Sequence, residues 1–173
     1  QNQQPTAEVP LPTMAPAPTE IPLPQIETTD IGKVSTGQVI DCAQKFSLEI
    51  VYQPMMTGAV SGERANGKFL YFRTKLTNNT GEEVFVPIRM FQVESPSGAS
   101  FPLDIFTSVK TAYQWGLDNL SKPIPSGKTI DMFLVFDTSG EKGSWRMMFE
   151  PILRLSEGPL CSYIFTLPAV NYV

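Results

Sequence analysis

Alternation of apolar and polar residues, beginning at about residue 33, predicts a chain built from β-strands. Short turns rich in Gly, Pro, Asn or Ser separate the alternating stretches, which number about seven. The side chains expected to face a core are Phe46, Leu48, Ile50 and Tyr52; Leu70, Phe72, Thr74 and Leu76; Trp145, Met147 and Phe149; and Cys161, Tyr163, Phe165 and Leu167.

The stretch GKFLYFRTKLTNNTGEEVFVP, residues 67–87, predicts a β-hairpin. Asn tolerates left-handed backbone angles and Gly81 carries no Cβ, so the chain can reverse direction between the two strands. Each strand is amphipathic, with one face suited to a core and the other to water. Such a sheet needs a second sheet to cover its apolar face, and the remaining strands supply one. The sequence therefore predicts an all-β sandwich.

One stretch, TSVKTAYQWGLDNLS, departs from the strand pattern and predicts a short helix that crosses the end of the sandwich. Thr107 or Ser108 is the expected N-cap. Trp115 is expected to pack against the protein rather than to serve as a ligand platform. The residues with helical spacing are Val109, Ala112, Tyr113, Gly116, Leu117 and Leu120.

Four pieces carry a resemblance to a known family: residues 70–81, a strand that ends in an Asn-rich turn; residues 91–98, a strand followed by a turn; residues 125–137, a Pro-Gly turn leading into FLVFD; and a closing pair of strands. In this order they resemble a family of immunoglobulin-like domains of unknown function, found in secreted proteins and surface lipoproteins of bacteria and archaea. The resemblance covers roughly residues 39–163. It implies an immunoglobulin-like β-sandwich for residues 33–173, with the helix as an insertion, and it brings no catalytic residues.

The first 32 residues form an extended, proline-rich arm in this interpretation. Residues 1–30 hold seven of the sixteen prolines and no aromatic residue, which favours polyproline II structure. The pentapeptide EVPLP at residues 8–12 recurs as EIPLP at residues 20–24. The arm is either a semi-rigid spacer or a peptide that docks in a groove or along a sheet edge. The docking residues in the second case are Val9, Leu11, Ile21 and Leu23.

Charge and hydropathy remove several partner classes. The net charge is −4, and the thirteen basic residues form no cluster of the kind that nucleic acids or anionic membranes require. No run approaches the roughly 20 apolar residues of a membrane-spanning helix. The polar start at Gln1 is typical of a chain from which a signal peptide has been removed, so we expect an extracellular or cell-surface location. Membrane tethering is then expected through a partner.

The sequence indicates no catalytic, cofactor or metal site. Histidine is absent, which removes the commonest general base and the commonest metal ligand. No phosphate-binding glycine loop and no loop with the spacing of a calcium-binding EF-hand is present. Asn78 and Asn119 begin triplets that match N-glycosylation acceptors, and the sequence leaves their modification open.

Two cysteines, Cys42 and Cys161, are too far apart in sequence for a redox or zinc motif. A disulfide is the favoured interpretation, and two buried free thiols are the alternative.

These observations together predict a non-enzymatic extracellular structural or interaction protein. It would be a subunit of a cell-surface or envelope assembly, docking through its arm on a neighbouring copy or another protein. A stand-alone tethered binding module is the first alternative, and a secreted enzyme is the disfavoured second.

Overall fold

The computed structural model describes residues 28–32, 37–86, 90–117, 122–149 and 161–167. Strands dominate these residues, as the alternating pattern predicts, and they are accompanied by one helix. In chain order the elements are β1 Thr28–Gly32, β2 Val39–Cys42, β3 Phe46–Ile50, β4 Met55–Val60, β5 Glu63–Asn78, β6 Phe91–Glu94, β7 Ser100–Pro102, α1 Ile105–Gln114, β8 Thr129–Thr138, β9 Ser144–Phe149 and β10 Cys161–Thr166.

The strands form two sheets that pack into a sandwich of the predicted immunoglobulin-like, all-β class. Sheet A has the order β1-β10-β9-β6-β7. Sheet B is built around the long strand β5, which pairs with β3 and β4 along one edge and with β8 along the other. The pairs are antiparallel except for β1 and β10, which run parallel.

The predicted register of the core strands is confirmed. Leu70, Phe72, Thr74 and Leu76 of β5 are all buried, as are the alternating residues of β3, β9 and β10. One member of the predicted set is wrong: Tyr52 is 45% exposed. It lies two residues beyond the end of β3 at Ile50, so the strand alternation no longer governs its direction.

The two sheets are covalently joined. Cys42 at the end of β2 and Cys161 at the start of β10 form a disulfide with their Cα atoms 4.9 Å apart. Both residues are buried in the core. The disulfide prediction is therefore confirmed, and the alternative of two free thiols is wrong.

The predicted hairpin over residues 67–87 is wrong. Residues 74–77 of β5 are already paired with β3 on one side and β8 on the other, so no edge is open for the segment that follows. Val84 instead forms an isolated bridge with Ile124. The reversal itself is present, with Gly81 at a φ of 86°. Residues 87–89 lie outside the described residues.

Asn78 holds this reversal with its side-chain amide. The Nδ2 group donates hydrogen bonds to the carbonyl oxygens of Glu82 (2.7 Å) and Ile124 (2.8 Å). The Oδ1 atom accepts from the backbone nitrogen and the hydroxyl of Thr80. Asn78 is fully buried, so in the folded protein it is not accessible to glycosylation. Asn119 lies outside the described residues.

The boundary between arm and sandwich lies further towards the N-terminus than residue 32. Thr28 to Asp30 of β1 pair in register with Ser162 to Ile164 of β10, which makes β1 an edge strand of sheet A. Sequence reasoning did not place a strand here because TTDIG has no apolar alternation. Residues 1–27 remain as the arm, and they lie outside the described residues.

Candidate functional site

The helix α1 is positioned by its N-cap. Asp104 has extended backbone angles, and its carboxylate accepts a hydrogen bond from the backbone nitrogen of Thr107 at 2.9 Å. The predicted caps Thr107 and Ser108 are wrong, because both lie inside the helix with buried side chains. Asp is among the strongest N-cap residues, so the helix begins three residues earlier than the sequence analysis expected.

Small and polar side chains hold the helix against sheet B. Ser108 Oγ accepts from the backbone nitrogen of Val135 at 3.0 Å, and the nitrogen of Asp104 donates to the carbonyl oxygen of Val135 at 2.8 Å. These two bonds cover the edge of β8 that faces away from β5. Further along the helix, the hydroxyls of Thr111 and Ser61 lie 2.8 Å apart. The helix therefore buries its polar stripe and satisfies the backbone of a strand edge.

The opposite side of the helix carries large apolar side chains in solvent. We name it the helix face and define it by Ile105, Phe106, Val109, Lys110 and Tyr113. These residues line a depression of about 570 Å³. Tyr113 is 85% exposed and Phe106 67% exposed. Val109 and Tyr113, two of the residues with helical spacing, are exposed, because only small side chains let the helix approach β8 closely enough to form hydrogen bonds with its edge.

Lys110 is the charged residue of the helix face. Its ammonium forms an ion pair with Glu63 of β5 and lies 5.9 Å from the centre of the Phe106 ring. An ammonium group has three N–H donors, so the ion pair with one carboxylate leaves donors for a second acceptor. The helix face is thus an apolar and aromatic surface that contains one ion-paired lysine.

Trp115 closes the helix and lies beside the helix face. Its ring centre is 5.6 Å from that of Phe133, which in turn lies 6.3 Å from the ring of Tyr71. Packing was the expected role for Trp115, and this contact agrees with it. The side chain is nevertheless 58% exposed, so its fluorescence can report on events at this end of the helix.

A polar cluster on the outer side of sheet B lies next to these rings. Arg73 donates to both carboxylate oxygens of Asp131, at 3.0 and 2.9 Å, and to the hydroxyl of Tyr52 at 3.4 Å. The hydrogen bond with Asp131 is the main cause that raises the pKa of Arg73. Burial raises the pKa of Tyr71. Asp131 is therefore neutralised by a fixed partner, as in a structural ion pair.

Other carboxylates also serve as structural acceptors. Asp137 accepts from the backbone nitrogens of Asn66 and Gly67, which fixes the start of the long β5–β8 pairing. Glu141 accepts from the hydroxyls of Ser139 and Ser97, and these bonds lower its pKa. Within the part of the chain that the structure describes, no group of three or more His, Cys, Asp or Glu residues is arranged to hold a metal ion.

The arm residues predicted to dock, Val9, Leu11, Ile21 and Leu23, lie outside the described residues. The helix face was missed as a site by sequence reasoning, although its signal was present. Spacing predicted the helix but did not indicate which of its sides is buried. The small residues Ser108 and Ala112 on the other stripe were the clue.

In the segments that the structure describes, no helix has the length and hydrophobicity needed to cross a bilayer. The helix α1 has ten residues.

Comparisons with known proteins identify the fold without naming a family. No model of a known family matches the chain, and neither does any curated protein sequence. Among solved structures, the secreted protein MPT63 from Mycobacterium tuberculosis is similar, with a TM-score of 0.50 and 14% identity over 83% of this chain and 98% of its own.

Two Bacillus subtilis proteins are similar to the same degree. The yjhA protein has a TM-score of 0.51 and 11% identity over 83% of this chain and all of its own. The candidate lipoprotein ycdA has a TM-score of 0.51 and 13% identity over 73% of this chain, and the match spans 38% of its own length. At these identities the similarity concerns the fold alone: this chain shares its β-sandwich fold with these three proteins.

Proposed function

We propose that this chain is a non-enzymatic interaction module that works outside the cytoplasm and joins a cell-surface or envelope assembly through its proline-rich arm. The observation that carries the proposal is the helix face. A helix that buries Ser108 and Thr111 while it exposes Phe106 and Tyr113 reverses the usual arrangement of a surface helix. Contiguous exposed apolar side chains of this kind mark interaction sites.

The proposed location rests on the disulfide and on the similar structures. A bond between Cys42 and Cys161 persists in an oxidising compartment such as the bacterial periplasm or the cell exterior. MPT63 is a secreted protein with the same fold. Both observations support a module that works outside the cytoplasm.

The non-enzymatic role is supported by the chemistry of the polar side chains. The chain has no histidine. Asp131 and Asp137, the acids that flank strand β8, are held by Arg73 and by backbone amides respectively. A general base needs a free acceptor within reach of a substrate, and these carboxylates are already used as acceptors.

The arm is the proposed docking element. Its prolines restrict the free chain before binding, which lowers the conformational entropy that an extended peptide loses on docking. Val9 and Leu11 in the first repeat correspond to Ile21 and Leu23 in the second, so the arm offers two equivalent apolar pairs. Each side chain contributes about 1.5–3 kcal/mol when fully buried, before the costs of association.

Removal of the arm tests this function. The full chain and a variant that lacks residues 1–27 are compared by size-exclusion chromatography with light scattering. We expect the full chain to self-associate or to co-purify with its assembly partner, and the truncated chain to be a monomer. The melting temperature should be nearly the same in both, because β1 and the core are retained. A truncated chain that assembles like the full chain overturns the proposal.

A stand-alone binding module is the second candidate, and one observation favours it. Trp115 and Tyr52 are both exposed on the outer side of sheet B, where Trp115 contacts Phe133 and Tyr52 contacts Arg73 of the Arg73–Asp131 pair. Such rings offer stacking surfaces to a small ligand beside fixed polar groups. Trp145, the second tryptophan, is buried, so a ligand titration followed by tryptophan fluorescence reports mainly on Trp115.

A further inference from the structure

We propose that the helix face binds the arm of a second copy of this chain. The segment EIPLP, residues 20–24, lies along the helix face of the neighbouring copy as a polyproline II helix, with its glutamate beside Lys110. This inference rests on the proposed function, and it adds the identity of the partner and the surface that receives the arm.

The two partners have matching lengths. From Ile105 to Tyr113 the helix rises through eight residues, which is about 12 Å. The repeat at residues 20–24 rises through four residue steps in polyproline II, which is also about 12 Å. One repeat therefore covers one helix face from end to end.

The side chains also match in kind. Proline-rich segments bind to surfaces lined by aromatic rings, and Phe106 and Tyr113 supply two exposed rings. Polyproline II has three residues per turn, so Ile21 and Pro24 lie along one edge and Glu20 and Leu23 along the next. When these two edges face the helix, the apolar residues contact its apolar stripe.

The glutamates of the arm can pair with the lysine of the helix face. Residues 1–27 contain Glu8, Glu20 and Glu27 and no basic residue. Each repeat begins with one of these glutamates. The helix face carries Lys110, whose ammonium already binds Glu63 and has donors left for a second carboxylate. Glu20 of the arm can therefore accept a hydrogen bond from the same ammonium that binds Glu63.

The position of β1 favours another copy as the partner of the second repeat. The order of sheet A places β1 at one edge and β7 at the other, four strand spacings or about 19 Å apart. The helix follows β7 directly, and the Asp104–Val135 hydrogen bond places its start against sheet B, about 10 Å away in the other layer. Leu23 lies five residues before Thr28, a reach of about 17 Å when fully extended. The second repeat therefore falls short of its own helix face.

Two complementary variants test the inference in solution. The first lacks residues 1–27 and keeps the helix face. The second keeps the arm and carries Val109→Asp and Tyr113→Ser. Each alone should be a monomer, and a 1:1 mixture should form a heterodimer by light scattering. Phe85→Ser, at an exposed aromatic residue outside the helix face, is the matched control and should associate like the parent chain.

A synthetic peptide of residues 18–26 gives a direct measure. Titrated into the chain that lacks residues 1–27, it should change the fluorescence of Trp115, and the Ile21→Ser, Leu23→Ser peptide should bind at least about tenfold more weakly. Lys110→Glu in the protein should weaken binding, and Glu20→Lys in the peptide should restore it. Melting curves check that the protein variants are folded.

The outcomes separate this inference from the proposed function. If the arm is needed for assembly and the helix-face variants assemble normally, the inference is wrong and the function stands. If the peptide binds but the full chain is a monomer, the arm folds back on its own chain, and docking on a second copy is overturned. If removal of the arm changes nothing, the proposed function fails together with the inference.

Discussion

Alternate residues of β5 divide between the core and the solvent, and this division can be tested one side chain at a time. Phe72 is fully buried, and its ring lies 5.6 Å from that of Phe136 and 5.4 Å from that of Phe165. Leu76 is equally buried, whereas Lys75 between them faces the outer side and pairs with Glu49.

We expect Phe72→Ala or Leu76→Ala to lower the free energy of unfolding by about 2–5 kcal/mol, because each leaves a cavity between the sheets. Lys75→Ala is the control and should cost less than about 1 kcal/mol. Urea unfolding followed by circular dichroism measures all three. A cost below about 0.5 kcal/mol for both core variants would mean that the strand register is displaced by one residue.

Among single elements, the strands with one buried face were the most directly predictable. The alternation in β3, β5, β9 and β10 reports directly on burial, because every second side chain meets the other sheet. The strand β4 has no buried residue along its length, so its sequence MMTGAV carries no such signal. The sequence TTDIG of β1 has no apolar alternation either, and this strand was assigned to the arm.

Pairing between elements was less predictable than their existence. The turn after Asn78 was correctly placed from its Asn and Gly residues. The strand that pairs with β5 on the side opposite β3 is nevertheless β8, which begins about fifty residues later. Sequence reasoning assigned the neighbouring segment because local pairing is the common outcome. Apart from the local pairing with β4, the partners of β5 are decided by long-range packing, which no short motif records.

The helix shows the same limit in its orientation. Its spacing predicts an amphipathic helix, but its contact with β8 is made through two hydrogen bonds: Ser108 Oγ accepts from the backbone nitrogen of Val135, and the nitrogen of Asp104 donates to the carbonyl oxygen of Val135. The apolar residues are left for solvent or for a partner. The candidate site was therefore hidden in a helix that the sequence had correctly located.

The cap of this helix provides an element-scale prediction. Asp104→Ala removes the acceptor for the backbone nitrogen of Thr107, so we expect a loss of about 1 kcal/mol in the free energy of unfolding. Asp104→Asn keeps an acceptor of the same reach and should be nearly neutral. Thermal unfolding of the two variants measures the difference. If Ala and Asn behave alike, the cap contributes nothing to the position of the helix.

At the scale of the whole molecule, the two sheets are held by packing and by one covalent bond. Phe46 of sheet B meets Phe149 of sheet A edge to face at 5.5 Å, and Phe72 meets Phe165 at the other end of the sandwich. Between strands β2 and β10 the Cys42–Cys161 bond joins residues 119 positions apart. Nearly the whole described sandwich lies inside the loop that this bond closes.

A loop of this length strongly restricts the unfolded chain, and the entropy model assigns about 4–5 kcal/mol to its closure. Measured losses for native disulfides are commonly about 2–5 kcal/mol, so we expect the Cys42→Ser, Cys161→Ser variant to lose stability in that range.

Urea unfolding of both proteins, with and without reductant, measures the loss. Reductant should destabilise the parent chain and leave the double variant unchanged, because the variant has no disulfide to reduce. Both sulfurs are buried, so reduction of the parent requires unfolding and the mixtures must be equilibrated in denaturant. If the double variant is as stable as the parent, packing alone holds the sheets together. The disulfide then no longer supports the proposed location in an oxidising compartment.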